Sequence, residues 1–502
     1  MSTTSIQPTT RAIRTRVDEP DPQRFKALGV IGIAQLMIVL DASVVTIALP
    51  SAQRALHISV ANRQWALTAY TLAFGGLLLI GGRIGDYFGR KRMFIISLLG
   101  FAGASALGGL AQNAAMLFGA RGLQGAFAAV MAPASLSLLT VTFTEPRERA
   151  RAFGVYGAIA GGGAAIGLVL GGLLTTYASW RWTLLINVPI AIIAALAAVP
   201  IVRESRAEGG KRGWDLPGAT TVTLGLLSLV YGFTRAETDG WASPVTISLL
   251  SVAAVLLAAF VLIEQRSETP LLPLRVVLDR NRGGSFLASL LVGIALFGCF
   301  LFLTYYMQAV LGYSAVKTGI AFLPFSGGFI LSATLASSLL PRLGPRVLMT
   351  IGLLMGAVGM FWFSQIPVHA DYVAHVLGPQ LVTSIGLGFA FVPFSSTALI
   401  GVAPHDAGVA SALVNATQQV GGSMGTALLN TIAASATASY LLLHHGGPTV
   451  ASEGLVHGYS VGFTVSAAVL LAAAIVAGSL VKASRFHVPA EDPAMAVSGA
   501  AT

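Results

Sequence analysis

Charge is what this chain most conspicuously lacks. Only 10% of its 502 residues are Asp, Glu, Lys or Arg, while 55% are hydrophobic. Soluble domains carry roughly 25% charged residues, so a soluble globular protein is excluded and a polytopic membrane protein is expected. There is one cysteine, Cys299, set in an apolar run. It rules out an internal disulfide, leaves the redox compartment open, and reads as a small buried hydrophobe. The first 25 residues hold Arg11, Arg14, Arg16, Asp18, Glu19, Pro20 and Pro22 but no apolar core. They do not form a cleavable signal peptide and are expected to be a disordered cytoplasmic tail. No phosphate-binding Walker loop is present, since Gly161 to Gly163 has no lysine after it, so a pump would need an ion gradient. No soluble domain or convergent catalytic cluster marks an enzyme, and no cofactor is expected. The net charge of +10 is dispersed over short loops, which argues against nucleic acid as a partner. Scarce lysine beside abundant arginine, alanine and glycine points to a GC-rich bacterial source.

What is present is a series of about fourteen apolar runs of roughly 18 to 25 residues, the length that crosses a bilayer. The expected organisation is a cytoplasmic tail over 1–26, six spans in 27–202, two inserted spans with their linkers in 203–283, six more in 284–482, and a second tail over 483–502. With an even number of spans and the N-terminus inside, the inner segments hold 24 of the 30 Lys and Arg residues. The outer loops hold only Arg54, Arg63, Arg181, Arg235 and Lys317. The positive-inside rule then places both ends in the cytoplasm of a multi-pass protein of the cell membrane.

Between the second and third runs, Gly82 to Arg92 reads GRIGDYFGRKR. Gly82 and Gly89 permit close approach and a sharp turn, and Asp86 offers a carboxylate to a helix N-terminus or a guanidinium. Arg83, Arg90, Lys91 and Arg92 hold the turn inside. The stretch resembles the signature loop of the major facilitator superfamily, with Ile84 and Gly85 where Leu and Ala are usual. Shifting the chain by 255 residues lays Ser59 to Lys91 over Ser314 to Arg346 without a gap, joining Gly89 to Gly344 and Lys91 to Arg346. This is the parallel repeat expected of two six-helix halves. The inserted pair, Leu216 to Glu264, is similar to the extra spans of the fourteen-span drug:proton antiporter family. LDASVVTIALP at Leu40 to Pro50, SWRWTLLINVP at Ser179 to Pro189, PLLPLRVVLDRNR at Pro270 to Arg282 and GVASALVNATQQVGGSMG at Gly408 to Gly425 agree with it. The resemblance implies an all-α membrane protein with the major facilitator fold, two six-helix bundles plus two inserted central helices.

Ionisable groups far inside a membrane are costly and mark function, and two qualify here. Asp41 lies in the first run, about 12 Å below its outer end, and Arg121 lies about 8 Å into the fourth, which runs the other way. Their heights are similar. Arg121 opens RGLQG, which resembles the fourth-helix motif whose arginine the family implicates in proton transfer, and Asp41 stands where the family has an acid. Under the 255-residue shift Asp41 falls on Leu296, and matching the GAR of Gly119 to Arg121 with the GPQ of Gly378 to Gln380 pairs Arg121 with Gln380, so coupling belongs to the first half. A static ion pair that sets packing is the alternative. With no second carboxylate found far inside the runs, one proton per cycle is the simplest expectation. The fifth run carries Gly154, Gly157, Gly161, Gly162, Gly163, Gly167, Gly171 and Gly172, similar to the family's antiporter motif, but Ala164 and Leu168 replace its usual prolines. It reads equally as a packing surface or a gating bend. His444, His445, Glu453 and His457 in the longest outer loop are taken as solvated residues, and no metal site is expected.

The resemblance implies a proton-coupled exporter of drugs, antibiotics or other lipophilic or cationic compounds, functioning as a monomer. Its partners are a small-molecule substrate, protons and the lipid bilayer, joined by a periplasmic accessory protein if the source is Gram-negative. The switch loop is Gly82, Asp86, Gly89, Arg90 and Lys91, with Asp86 docking on the helix that begins near Asp406 and Ala407. A midplane cavity is expected to draw on Gln35, Gln124, Phe297, Tyr305, Gln308, Phe391, Asn415 and Gln418, with Phe300, Tyr306, Phe325 and Phe394 as further aromatic candidates. A proton symporter importing a small metabolite is the alternative. It would call for more paired charges or amides in the helices than Gln35, Gln308, Asn415, Gln418 and Gln419 supply.

Overall fold

The computed structural model describes residues 22–58, 65–206, 215–267, 270–403, 406–444 and 449–482. Expectations for most of the two tails, for His445 and for the Phe297 side chain fall outside the described residues. Sixteen α-helices follow one another: α1 (Arg24–Ala55), α2 (Trp65–Phe88), α3 (Arg90–Gly109), α4 (Ala114–Thr142), α5 (Pro146–Tyr177), α6 (Trp182–Leu185), α7 (Asn187–Ile201), α8 (Leu216–Asp239), α9 (Pro244–Arg266), α10 (Leu274–Leu278), α11 (Arg280–Tyr305), α12 (Ala315–Ala321), α13 (Leu323–Phe363), α14 (Gly378–Leu399), α15 (Ala407–Leu443) and α16 (Val450–Leu480). π-Helical turns at Tyr306–Val310 and Tyr372–Leu377 extend α11 and precede α14. A helix satisfies its own backbone polar groups, which is why apolar runs of this length take that form in lipid. Polar side chains close several exposed ends. Asn113 accepts from the Met116 amide at 2.9 Å to start α4, and Ser314 accepts from the Lys317 amide at 3.2 Å to start α12.

Twelve helices among the described residues are long and apolar enough to cross a membrane. The fourteen passages expected from sequence are reached only by counting the two arms of α13 separately and by adding α5. Helix α13 turns at Gly344, whose φ of 77° no helix interior adopts. Helix α5 is 32 residues long and contains the apolar stretch Ile166–Tyr177.

The 255-residue shift has a geometric counterpart. Gly89, between α2 and α3, has φ 101°, and Gly344, between the arms of α13, has φ 77°. The same shift pairs His57, the one described non-glycine residue at positive φ (52°), with Gly312 (67°).

Helices α1, α2, α3, α4, α5 and α7 pack on one another, and α11, α13, α14, α15 and α16 do the same. The two sets meet where α5 lies on α12, α13 and α14, and where α2 and α4 lie on α15. Helix α8 packs on α9 and rests in the seam between α2 and α15, while α9 presents Ile247, Val252, Val255 and Leu262 outward.

The glycines of α5 form two packing faces. A Cβ at Gly163 would stand 3.0 Å from Val39, and Gly171 lies equally close to Val44, both on α1. Gly154, Gly157 and Gly172 press on Ser337, Phe391 and Val316 of the other set. The helix runs unbroken through this region, and its glycines serve close approach.

Candidate functional site

Asp41 and Arg121 are each 1% exposed, and the guanidinium Nη1 donates to Asp41 Oδ2 at 2.5 Å. Four helices and a backbone carbonyl converge on the pair. Gln124, one turn after Arg121 on α4, donates to Asp41 Oδ1 at 2.9 Å and accepts from Arg121 at 2.8 Å. Asn187, the first residue of α7, donates to the same Oδ1 at 2.8 Å. Ser105 of α3 binds Gln124 at 2.7 Å, and Arg121 Nε donates to the Ala66 carbonyl of α2 at 2.9 Å. The Tyr70 ring lies under the guanidinium at 4.5 Å. Asp41 thus accepts three hydrogen bonds, two on Oδ1 and one on Oδ2, which compensate a buried carboxylate for lost water. A proton arriving on Asp41 would compete directly with Arg121. Sequence reading paired Asp41 with Arg121 and expected Gln124 in the substrate cavity, but missed Asn187, Ser105 and Tyr70, whose polar groups are unremarkable until α2, α3 and α7 bring them together.

The second set carries an uncharged version of the same arrangement. Gln380 donates to the Ala321 carbonyl at 2.9 Å, as Arg121 does to Ala66, and the repeat superposes Ala66 on Ala321. Where Asp41 would fall stands Leu296, and the remaining Gln380 oxygen accepts from the Tyr372 hydroxyl at 3.1 Å.

The switch loop sits at the opposite ends of these helices. Asp86 Oδ2 accepts from the Gly408 amide at 3.0 Å in the first turn of α15, and Oδ1 accepts from Arg90 at 2.7 Å. Gly82 abuts Gly408, where a Cβ would come within 2.5 Å of the carbonyl oxygen. Glu204 receives the Lys91 and Arg92 amides, both at 3.1 Å, and so caps α3. A side chain at Gly89 would stand 2.7 Å from Glu204. Lys91 Nζ donates to the Val199 carbonyl at 2.6 Å. Arg83 donates to the Pro270 carbonyl at 2.5 Å and lies 3.7 Å from Asp406, which also binds Arg275 at 2.7 Å. Glu204, Asp406 and Arg275 were not assigned from sequence, because loop charges near a membrane surface ordinarily read as topology.

Among the described residues, the candidates for a midplane cavity have several different partners. Gln124 belongs to the Asp41 cluster, and Gln35 accepts from the Tyr156 hydroxyl at 2.6 Å. Phe391 packs on Phe329 and Phe394, and Phe300 on Phe322 and Phe325, as two separate aromatic groups. Asn415 donates to the Ser411 carbonyl at 3.0 Å in its own helix, and Gln418 beside it is half-buried. Tyr305 is 47% exposed and Gln308 is exposed, so neither lines an enclosed chamber here; the buried Tyr306 hydroxyl donates to the Pro367 carbonyl. At the outer end, Tyr440 stacks on His444 at 4.0 Å and donates to Glu453 at 3.1 Å. Among the described residues no group of three potential metal ligands forms. Glu264, two residues before the end of α9, is a further buried carboxylate, 5% exposed, at the loop-bearing end of the helix.

Residues 31–426 match the family model described as Major Facilitator Superfamily. The chain is 50% identical over 465 residues to the puromycin resistance protein pur8 of Streptomyces alboniger, covering 92% of each. It is 39% identical to the cephamycin export protein CmcT of Amycolatopsis lactamdurans, over 84% of this chain and 88% of that one. The human organic anion transporter MFSD10 (TETRAN) shares the fold, with a TM-score of 0.60 at 15% identity over 91% of this chain and all of that one. This multi-pass chain, with its paired helix sets, glycine-turned signature loop and buried Asp41 cluster, belongs to the Major Facilitator Superfamily.

Proposed function

We propose that the chain exports an antibiotic or a related lipophilic or cationic compound from the cytoplasm in exchange for protons, with Asp41 as the carboxylate that binds them. Two six-helix bundles, 27–202 and 284–482, rock about a site between them, with the inserted helices of 203–283 alongside and both termini in the cytoplasm. The relatives named for puromycin resistance and cephamycin export support the substrate class. The observation that carries the coupling is the Asp41 cluster: a carboxylate buried among three donors, one of them a guanidinium on a different helix, can exchange a proton for an ion pair as the helices move. Asp86 on the Gly408 amide and Arg83 beside Asp406 support a role for the signature loop in closing the inner side. Substrate identity and direction are tested together by comparing cells with and without the gene on puromycin, cephamycin, tetracenomycin C and lincomycin, and by following efflux from preloaded cells. Lower resistance on deletion, with faster loss of the compound when the protein is present, is expected. Proton-driven accumulation inside the cell would overturn export in favour of symport.

A further inference from the structure

At the loop-bearing end of the inserted pair, two acids with no part in the Asp41 cluster meet. Asp215 caps α8, its Oδ1 accepting from the Gly218 amide at 2.8 Å, while its Oδ2 has no hydrogen-bond partner although the residue is only 8% exposed. Glu264 of α9 accepts from the Leu271 amide through Oε1 and the Leu272 amide through Oε2, both at 3.1 Å. The two carboxyl groups meet over the same backbone position. Both crowd Gly218, where a Cβ would stand 2.5 Å from Asp215 Oδ2 and 2.9 Å from Glu264 Oε1. Ionised carboxylates only accept, so the contact has no donor unless one oxygen carries a proton.

Among the described residues the surrounding charges do not supply one. On α9 itself Arg266 is exposed. Arg83 of α2, Arg275 of α10 and Asp406 before α15 engage one another and the Pro270 carbonyl. We propose that Asp215 and Glu264 form a proton-binding site, holding one proton between them, and that its occupancy controls the contact between the inserted helices and the signature loop. Glu264 positions the backbone at Leu271 and Leu272; Pro270 beside them receives Arg83; Arg83 reaches Asp406, next to the turn of α15 on which Asp86 docks. With the proton present, the pair clasps α8 to α9 and holds this chain of contacts. Without it two negative charges face each other out of water, the carboxyls separate, and the hold of Glu264 on the Leu271 and Leu272 amides is released. The closed clasp binds the extra proton, so it is favoured at low pH and lost as pH rises. This does not depend on which compound is carried or on the role of Asp41.

The test uses the full-length purified protein. Infrared titration should show a protonated-carboxyl C=O band, equivalent to one proton per chain, that is absent both in Glu264→Gln and in Asp215→Asn. If one variant fails to fold the other still decides, and a band unchanged by the variant that folds overturns the site. Release of the clasp is read separately from a cysteine at the buried Val276 of α10 in a Cys299→Ser background. One linked proton makes the open population change about tenfold per pH unit. Labelling by a methanethiosulfonate, normalised to a free thiol, should rise with pH accordingly and become flat when Glu264→Gln is added. Equal pH profiles in the two backgrounds would show that the pair binds its proton without controlling the loop.

Discussion

Replacing Asp41 by Asn removes one charge and leaves the size of the side chain unchanged. Its consequences can be worked from the five groups around it. The Asn oxygen can still accept from Gln124 and Asn187, which approach Oδ1 at 2.9 and 2.8 Å. That orientation turns the new NH2 group toward Arg121 Nη1, donor against donor. Arg121 is left charged and 1% exposed. Removing one partner of a buried pair costs about 3–5 kcal/mol. The lower end is expected here, because Arg121 keeps the Ala66 carbonyl, the Gln124 oxygen and the Tyr70 ring. A loss of about 3 kcal/mol in the ion-paired arrangement shifts its population more than a hundredfold. Asn also mimics protonated Asp41, so the same figure bounds what one proton can do to the equilibrium. In liposomes given only a pH difference, Asp41→Asn should not concentrate substrate, while downhill exchange persists. A double variant, Asp41→Asn with Arg121→Gln, copies the neutral Gln380 arrangement and should recover most of the lost thermal stability without recovering coupling. If Asp41→Asn alone still builds a gradient, Asp41 is structural and the coupling argument is wrong.

Asp86→Asn should lower transport while protein amount and substrate binding hold. The helix-terminus contact alone is worth about 0.3–2 kcal/mol, and leaving the buried Arg90 without its carboxylate adds to it, so wild-type turnover would sink the idea. Cysteines placed at Lys317 and His444 in a Cys299→Ser background should react with an impermeant thiol reagent in intact cells, and one at Arg280 should not. All three positions are exposed, so labelling at 280 would contradict the proposed orientation and could not be blamed on burial. Arg24 binds Glu148 through two hydrogen bonds of 2.7 and 2.8 Å, which hold the Glu148 carboxyl below its ordinary range. Its contribution is therefore present above the unfolded carboxyl's range and lost as pH falls through the folded one. Glu148→Gln should lower stability by no more than about 1 kcal/mol at neutral pH, the scale of an exposed ion pair, and by nothing in strong acid. An equal loss at both pH values would assign the effect to packing.

The parts of this protein that were legible in its sequence are those where lipid leaves few alternatives. Apolar length dictates helices, a charge inside a span demands a partner, and Gly82, Asp86 and Gly89 at fixed spacing demand a turn. What was not legible depends on which helices become neighbours. Asn187 opens a helix like any polar cap until α7 packs on α1 and places its amide on Asp41. Glu264 sits among residues that read as a cytoplasmic boundary, and only the return of the chain through Pro270 covers it. The aromatic candidates failed for a related reason. Composition can say that Phe300 and Phe391 are buried, but their assignment to separate groups follows from helix rotation, which periodicity in an all-apolar helix does not report.

The internal repeat turns one of these gaps into an argument about mechanism. Ala66 and Ala321 are equivalent by position, and each carbonyl receives a side chain from the helix two passages on, Arg121 in one case and Gln380 in the other. The shared feature is the hydrogen bond to the carbonyl, which ties the paired helices in both halves and needs no charge. The guanidinium is therefore surplus to packing. Since Gln380 performs the structural task with an amide at 0% exposure, the buried charge on Arg121 calls for a different reason, and the carboxylate it meets on α1 has no counterpart at Leu296. A static pair retained only for packing would be expected wherever the packing recurs. Its restriction to one half supports the proposal that Asp41 and Arg121 couple protons, on which neutralising both together should leave the fold intact while removing the coupling.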